Sequence, residues 1–192
     1  MANTTRPIKS RKDVERLKNY YLVTKPNARN YALIVVALNT ALRISDILSL
    51  RWKDVYDFNR GGFRERFELR EKKTGKKQSI PINGHVQEAL AHLFEAQGRP
   101  LAGGWLFVSQ KGGRLSRGQA FRVVTSAAAA LNLGEHISCH SLRKTFGYHA
   151  YKMGVSPSLL VELYNHSSYQ VTKRYLGLGQ DEKDEVYMKI NL

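Results

Sequence analysis

Residues 28–42 constrain this chain most. The run from Ala28 to Leu42 reads as a helix, and its middle, Tyr31 to Leu38, is apolar on nearly every side. Such a helix has no face to give to water and belongs at the centre of a core. The stretch is far too short to span a bilayer. A chain of 192 residues is long enough for one sizeable domain around it, and its 42% hydrophobic content is ordinary for a globular protein.

The charge is not ordinary. A formal net charge of +15 points to a polyanion partner, nucleic acid before an acidic membrane surface or mere solubility. Cys139 is the only cysteine, so no internal disulfide forms, which fits a reducing cytoplasm. Cys139 itself reads as a packed small hydrophobe. No Cys/His cluster has zinc spacing, so no metal is expected. The segment Met1 to Lys12 is polar and basic, without an apolar signal core.

Around the central helix the pattern predicts mostly further helices. Ser10 caps one through Val14, Leu17 and Tyr21, ended by Pro26-Asn27. Ser45 is expected to cap a short helix over Asp46 to Leu50. Residues 54–82 change character, with β-favouring segments at Val55–Phe58, Phe67–Leu69 and Ile80–Ile82 and turns at Gly61-Gly62 and Thr74-Gly75. They predict one antiparallel sheet of three strands, with Pro81 at an edge or strand end. Helices then return over Gly84–Gln97, from Ser116 through Ala130, from Ser138 or His140 to Gly154, from Ser156 to near Asn165, and over Ser168–Tyr175 and Asp181–Ile190, with Trp105–Val108 as a short buried segment. The fold expected is mainly α with a small antiparallel β-sheet, in a single domain over residues 1–192.

Four pieces could carry chemistry. In the helix near His140, Leu142, Phe146, His149 and Met153 form one stripe expected to face the core. His140, Arg143 and Gly147 lie roughly 100–160° away and would be displayed together, with Gly147 leaving room for an approach. A solvated polar face is the plainer reading. Arg43, in Ala41-Leu42-Arg43-Ile44-Ser45-Asp46, adjoins a helix N-terminus, where backbone N–H groups favour phosphate and a guanidinium matches two phosphate oxygens. It could equally pair with Asp46. The turn Glu71-Lys72-Lys73-Thr74-Gly75-Lys76-Lys77 offers ammonium groups, most of them plain phosphate contacts or solvated charge, and one of them could act as a proton donor if neighbouring cations lowered its pKa. Finally, Asn165-His166-Ser167-Ser168 leads to Lys173-Arg174-Tyr175, where Tyr175 is one of ten tyrosines that serve mostly as structural amphipaths.

In order, these pieces are distinctive. Ala-Leu-Arg43-Ile-Ser-Asp46-Ile-Leu-x-Leu, a hairpin Lys73-Thr-Gly-Lys, His140-x-Leu-Arg143-Lys-Thr-Phe, His166-Ser-Ser and Tyr175-Leu together resemble the catalytic domain of the phage integrase, or tyrosine recombinase, family, from about Ser10 to Leu178. The resemblance implies a site-specific DNA recombinase. Arg43 and Arg143 would clamp the scissile phosphate, with Asp46 in support. Tyr175 would attack it, His140 would be the general base, His166 would hydrogen-bond the phosphate, and Lys73 would protonate the departing 5′ oxygen. It further implies a 3′-phosphotyrosyl intermediate, no metal or other cofactor, double-stranded DNA carrying recombination sites as partner, and a homo-tetramer acting in the cytoplasm. The tail, residues 181–192, would pack on a neighbouring protomer or else close its own core.

This sequence departs from the family pattern in four places. Asn165 stands where Gly is usual, Tyr164 where an aliphatic residue is usual, Asp46 where Glu is commoner, and Lys144 at a frequent His. Asn165 puts the loop geometry at His166 in question. Few residues precede the first helix, so no separate N-terminal DNA-clamping domain is expected, as in short stand-alone recombinases such as fimbrial-switch invertases. The alternatives are a DNA-binding regulator with this fold but no recombination activity, a type IB topoisomerase, and a basic RNA-binding protein.

Overall fold

The computed structural model describes residues 5–70 and 75–190. Its architecture is mainly helical, with two small antiparallel ribbons. The helices are α1 (Arg11–Asn19), α2 (Ala28–Asn39), α3 (Ile44–Ile47), α4 (Trp52–Val55), α5 (Gly84–Ala96), α6 (Arg117–Ala130), α7 (Cys139–Lys152), α8 (Pro157–Tyr164), α9 (Tyr169–Leu176) and α10 (Gln180–Lys189). A π-helical turn, Tyr20–Thr24, extends α1. The strands are β1 (Tyr56–Asp57), β2 (Gly62–Phe63), β3 (Arg66–Arg70) and β4 (Lys77–Pro81).

α2 sits where its composition requires. Ala32 to Leu38 are all buried, and α2 packs against α1, the π-helical turn, α3, α5 and α7. Caps set the helix starts as their residue types predict. The Ser10 hydroxyl accepts from the Asp13 N–H, Asn27 from Asn30, Asn83 from Val86, and Ser116 from Gln119. The short helix α3 differs. Its N-cap is Arg43, not Ser45, because the N–H groups of Asp46 and Ile47 both bond to the Arg43 carbonyl.

The three-stranded sheet is not formed. β1 pairs only with β2, and β3 pairs with β4, with Phe67 opposite Ile80 and Leu69 opposite Gln78. Two local features explain the split. Val55 belongs to α4, and Gly62, expected in a turn, lies in β2, so the chain folds back tightly on Tyr56-Asp57. Pro81 ends β4, as expected of a residue without an N–H.

Two apolar clusters organise the interior. The larger gathers α2, α5, α6, Trp52 and Phe67. The smaller comprises Ala41, Tyr148, Leu160, Tyr164, Leu176 and Leu178, with Phe146, Ala150, Tyr151, Val155 and Tyr175 against it. α7 joins them, and it is covered on more sides than its stripe suggested. α2 and α6 pack on it, as do α8 and α9. Arg143 and Gly147 are therefore buried rather than displayed, while Met153 caps the helix end and is 73% exposed.

The N-terminal segment lies across α7 as a strap. The Ile8 N–H donates to the Thr145 hydroxyl at 2.8 Å, and the Ile8 carbonyl meets His149 Nε2 at 3.1 Å. The Lys144 ammonium donates to the Thr5 carbonyl at 2.6 Å. Lys9 pairs with Glu182 and Asp181 at 2.8 and 3.0 Å, which fastens the start of α10 to the strap. Beyond that start, Val186, Tyr187, Met188 and Ile190 are exposed.

Candidate active site

Arg43, Arg143, His140, His166 and Tyr175, separated by up to 132 positions in sequence, converge on one side of α7. Lys73 lies outside the described residues.

Arg143 anchors the group. Its side chain is 5% exposed. Nε donates to the Ala41 carbonyl, and the guanidinium lies 4.7 Å from the Tyr164 ring centroid and 5.7 Å from that of Tyr175. Its orientation is thus fixed by a backbone acceptor and two aromatic faces. Ala41 has φ +52, a left-handed conformation costly for a residue with a Cβ. That turn carries the chain from α2 into Arg43 and α3. The carbonyl of this strained residue is the one that holds Arg143.

Arg43 is half-buried at the α3 N-terminus. Its charge lowers the pKa of His140, His166 and Tyr175, as does that of Arg143. The five side chains therefore share one electrostatic field. Asp46, in the first turn of α3, is fully buried.

Tyr175 is held by α9, which Ser168 caps at the start and left-handed Gly177 ends. The next residue, Leu176, is fully buried, as is Tyr164 opposite. The Tyr175 ring meets His166 edge-on, at 5.0 Å between centroids, and Tyr164 at 5.4 Å. Its hydroxyl is buried on the side of the Arg143 guanidinium, and among the described residues no group meets strict hydrogen-bond geometry with it. Burial pushes the phenol above its ordinary value, while the Arg143 guanidinium and then Arg43 pull it back.

His140 begins α7 and is exposed on its outer side. Partial burial, then Arg143, Lys144 and Arg43, hold it below the ordinary histidine value. His166 is likewise lowered, by burial and then by Arg143 and Arg43. In both, the shift favours the neutral imidazole. His166 Nδ1 is 3.0 Å from the Thr172 hydroxyl.

The loop at Asn165-His166 is well formed. Asn165 caps α8 at φ 51, ψ 48, the left-handed conformation that a glycine would supply and that asparagine tolerates best among other residues. Its N–H bonds to the Glu162 carbonyl and that of His166 to the Val161 carbonyl, at 2.9 and 3.0 Å. The departure from glycine keeps the backbone turn.

Tyr164 has a job no aliphatic residue could do. Its hydroxyl donates to the Arg143 carbonyl at 2.6 Å. Gly147 makes that possible, since a Cβ there would lie 2.5 Å from both the Tyr164 hydroxyl and Leu176 Cδ2. The space over Gly147 is thus filled by Tyr164 and Leu176, not left open for an approaching molecule. Lys144 is also buried, and its ammonium stands 5.1 Å from the Tyr175 ring centroid. Sequence reasoning missed both Tyr164 and Lys144, although each had been marked as a departure from the pattern. Cys139 is inert in this setting, its thiol pushed up to about 11 by burial. Among the described residues no group of three or more His, Cys, Asp or Glu could hold a metal ion. No helix among them is long and apolar enough to cross a membrane.

The comparisons with known proteins agree with this geometry. Residues 10–181 match the model of the phage integrase family. The chain is 37% identical over 182 residues to the probable integrase/recombinase YoeC of Bacillus subtilis (strain 168), covering 94% of each. It is 28% identical to the type 1 fimbriae regulatory protein FimE of Escherichia coli (strain K12), over 85% of this chain and 82% of that protein. Among solved structures, the XerA recombinase superposes with a TM-score of 0.75 at 19% identity, over 95% of this chain and 63% of that one. XerH, in a post-cleavage complex with palindromic difH substrate, gives 0.73 at 21%, over 97% of this chain and 52% of that one. This chain thus spans between half and two thirds of those solved chains, and the fold it shares with them is that of a tyrosine recombinase catalytic domain. By sequence match along nearly its whole length, by fold, and by the arginines, histidines and tyrosine gathered beside α7, the chain belongs to the phage integrase family of site-specific tyrosine recombinases.

Proposed function

We propose that this recombinase breaks and rejoins DNA with Tyr175 as nucleophile, Arg43 and Arg143 as the phosphate clamp, His140 as general base, His166 as a phosphate donor, Lys73 as general acid and Asp46 supporting the Arg43 turn. The observation that carries this reading is the buried Tyr175 hydroxyl beside Arg143, with both histidines in the field of the same two arginines.

In the first step Tyr175 Oη attacks the phosphorus and its proton passes to His140. The Oη–P bond forms as the P–O5′ bond breaks, and Lys73 gives a proton to the departing oxygen. The products are a 3′-phosphotyrosyl link and a free 5′ hydroxyl. In the second step a 5′ hydroxyl of the partner DNA attacks that link, its proton passing to the now neutral Lys73, and the O–P bond it forms replaces the Oη–P bond; Tyr175 leaves, regains its proton from His140, and the exchanged strand is sealed. Charge builds on the phosphoryl oxygens in each transition state, and two fixed guanidiniums offset it. The reading needs no metal, nucleotide or other cofactor. The Thr172 hydroxyl has one hydrogen and two acceptors in reach, the Ser168 carbonyl at 3.3 Å and His166 Nδ1 at 3.0 Å; when it donates to Nδ1, the neutral ring keeps an Nε2–H donor for a phosphate oxygen. Burial raises the phenol pKa, with Arg143 and Arg43 opposing, so Tyr175 needs a base to take its proton as it attacks.

Residues 1–192 act as one catalytic domain in this reading. The partner is double-stranded DNA bearing recombination sites, to which the +15 charge contributes affinity. The protein works there as a homo-tetramer, in the cytoplasm at the nucleoid. The exposed Val186, Tyr187, Met188 and Ile190 support exchange of the tail between protomers, while Lys9 holds the start of α10 in its own chain.

A nicked duplex carrying the inverted repeats nearest the coding region tests the reaction. Loss of the short strand beyond the nick should trap a covalent protein–DNA adduct at a 3′ phosphate, with a free 5′ hydroxyl. Binding without an adduct would leave only a regulator with this fold. Supercoil relaxation without exchange between paired sites would make it a topoisomerase.

A further inference from the structure

The β3–β4 ribbon touches the catalytic loop through a bond that the family pattern does not provide. Lys76, just before β4, donates from its ammonium to the Asn165 side-chain oxygen at 2.5 Å. Asn165 adjoins His166, and its backbone is already held by the turn that ends α8. Its amide is therefore free to serve another element. Glycine would make the same turn but could offer Lys76 nothing.

The body of the ribbon is held from its other end: Phe67 is buried in the larger cluster, and Leu69 and Ile80 pack against it. β4 has no buried residue, and in β3 only Phe67 is buried. Arg70, at the end of β3, donates to the Gly75 carbonyl at 2.8 Å. The Lys76–Asn165 bond joins residues 89 positions apart and ties the start of β4 to the loop that carries His166. A hydrogen bond to a charged donor contributes more than a neutral one.

We infer that Asn165 is a positioning residue: by accepting from Lys76 it holds the start of β4 against the His166 loop, and so favours delivery of the hairpin's proton to the 5′ oxygen. This rests on the reading that the hairpin carries the general acid at Lys73. The chemistry is unchanged by Asn165, which touches neither phosphate nor nucleophile. It raises the fraction of complexes in which the ammonium proton can pass to the oxygen as the P–O5′ bond breaks.

The test uses the full chain and two nicked substrates, one with the natural 5′ oxygen and one with a 5′-bridging sulfur, which departs without a proton. Asn165→Gly preserves the left-handed turn and removes the acceptor. It should slow cleavage of the oxygen substrate about tenfold while changing the sulfur substrate less than about twofold. Asn165→Asp, which still accepts from Lys76, should restore the oxygen substrate. Lys76→Met should reproduce the Asn165→Gly pattern. Equal effects of Asn165→Gly on both substrates, whether none or large, would overturn the inference. So would a Lys76→Met defect as deep as that of Lys73→Met and equally cured by sulfur, which would make Lys76 a donor itself. Lys73→Met separates the two ideas. If sulfur fails to rescue it, the assignment of the hairpin acid falls and the inference with it. If sulfur rescues Lys73→Met but Asn165→Gly is not selective, the docking role alone falls.

Discussion

Arg143 and Lys76 both act near the Asn165-His166 loop, Arg143 through its charge on His166 and Lys76 through its bond to Asn165, and they are held in different ways. Arg143 is buried between helices, bonded to a strained carbonyl and enclosed by two aromatic rings. Lys76 is exposed on a two-stranded ribbon and reaches the loop by one amide. The difference matches the two demands of the reaction. Charge that develops on a phosphate is best met by dipoles and cations that need no rearrangement, so the clamp is built into packed helices. A proton donor has only to arrive at one oxygen, and an exposed side chain on a ribbon serves for that.

The contrast has its largest consequence at Arg143. Arg143→Ala should lower strand cleavage by about a hundredfold to a thousandfold or more, on oxygen and sulfur substrates alike, because transition-state charge is unmet in both. Arg143→Lys should recover little, since an ammonium cannot reproduce the fork. DNA affinity measured alongside should fall far less. A defect of only twofold, or one cured by sulfur, would erase the distinction between clamp and hairpin.

The second consequence is steric. Gly147→Ala forces a methyl into the Tyr164 hydroxyl and Leu176, and overpacking of that kind costs about 1–3 kcal/mol. Chemical denaturation should show the loss, and cleavage should fall because Leu176 adjoins Tyr175. Gly62→Ala, in the β1–β2 ribbon with nothing within 4 Å of its Cβ, should change stability by less than about 0.5 kcal/mol. Equal tolerance at both positions would deny the smaller cluster its role as a rigid frame.

The smallest effect is in pH dependence. His140 must be neutral to take the Tyr175 proton, and its pKa is lowered by burial, then by Arg143, Lys144 and Arg43. Cleavage under substrate-limited conditions should therefore rise with pH along a limb centred below about 6.5. His140→Gln should flatten that limb. A limb centred above the ordinary histidine value would require an anionic neighbour that the free site does not have among its described groups.

Much of this was legible in the sequence, for identifiable reasons. The apolar run of α2 and the Ser and Asn caps are local signals, and they located the helices. The arginines, histidines and Tyr175 were found by their order along the chain. Burial around α7 was not legible, because a stripe drawn on one helix cannot show that four other elements and a strap cover it. The left-handed Ala41 carries no residue signal, yet it directs the carbonyl that holds Arg143. The split of the sheet turned on whether Gly62 lies in a turn or a strand, which its neighbours do not decide. Tyr164 was visible only as an oddity. Its meaning emerged when Gly147 and the Arg143 carbonyl were found against it.

Tyr175 is one of ten tyrosines in the chain, and the account depends on its being the one that bonds to DNA. Tandem mass spectrometry of the trapped, nuclease-trimmed adduct identifies that residue directly. The nucleotide should be found on the peptide containing Tyr175, linked through a 3′ phosphate, and Tyr175→Phe should bind the same DNA and yield no adduct. A nucleotide on any other tyrosine, or an adduct that survives Tyr175→Phe, would contradict the account.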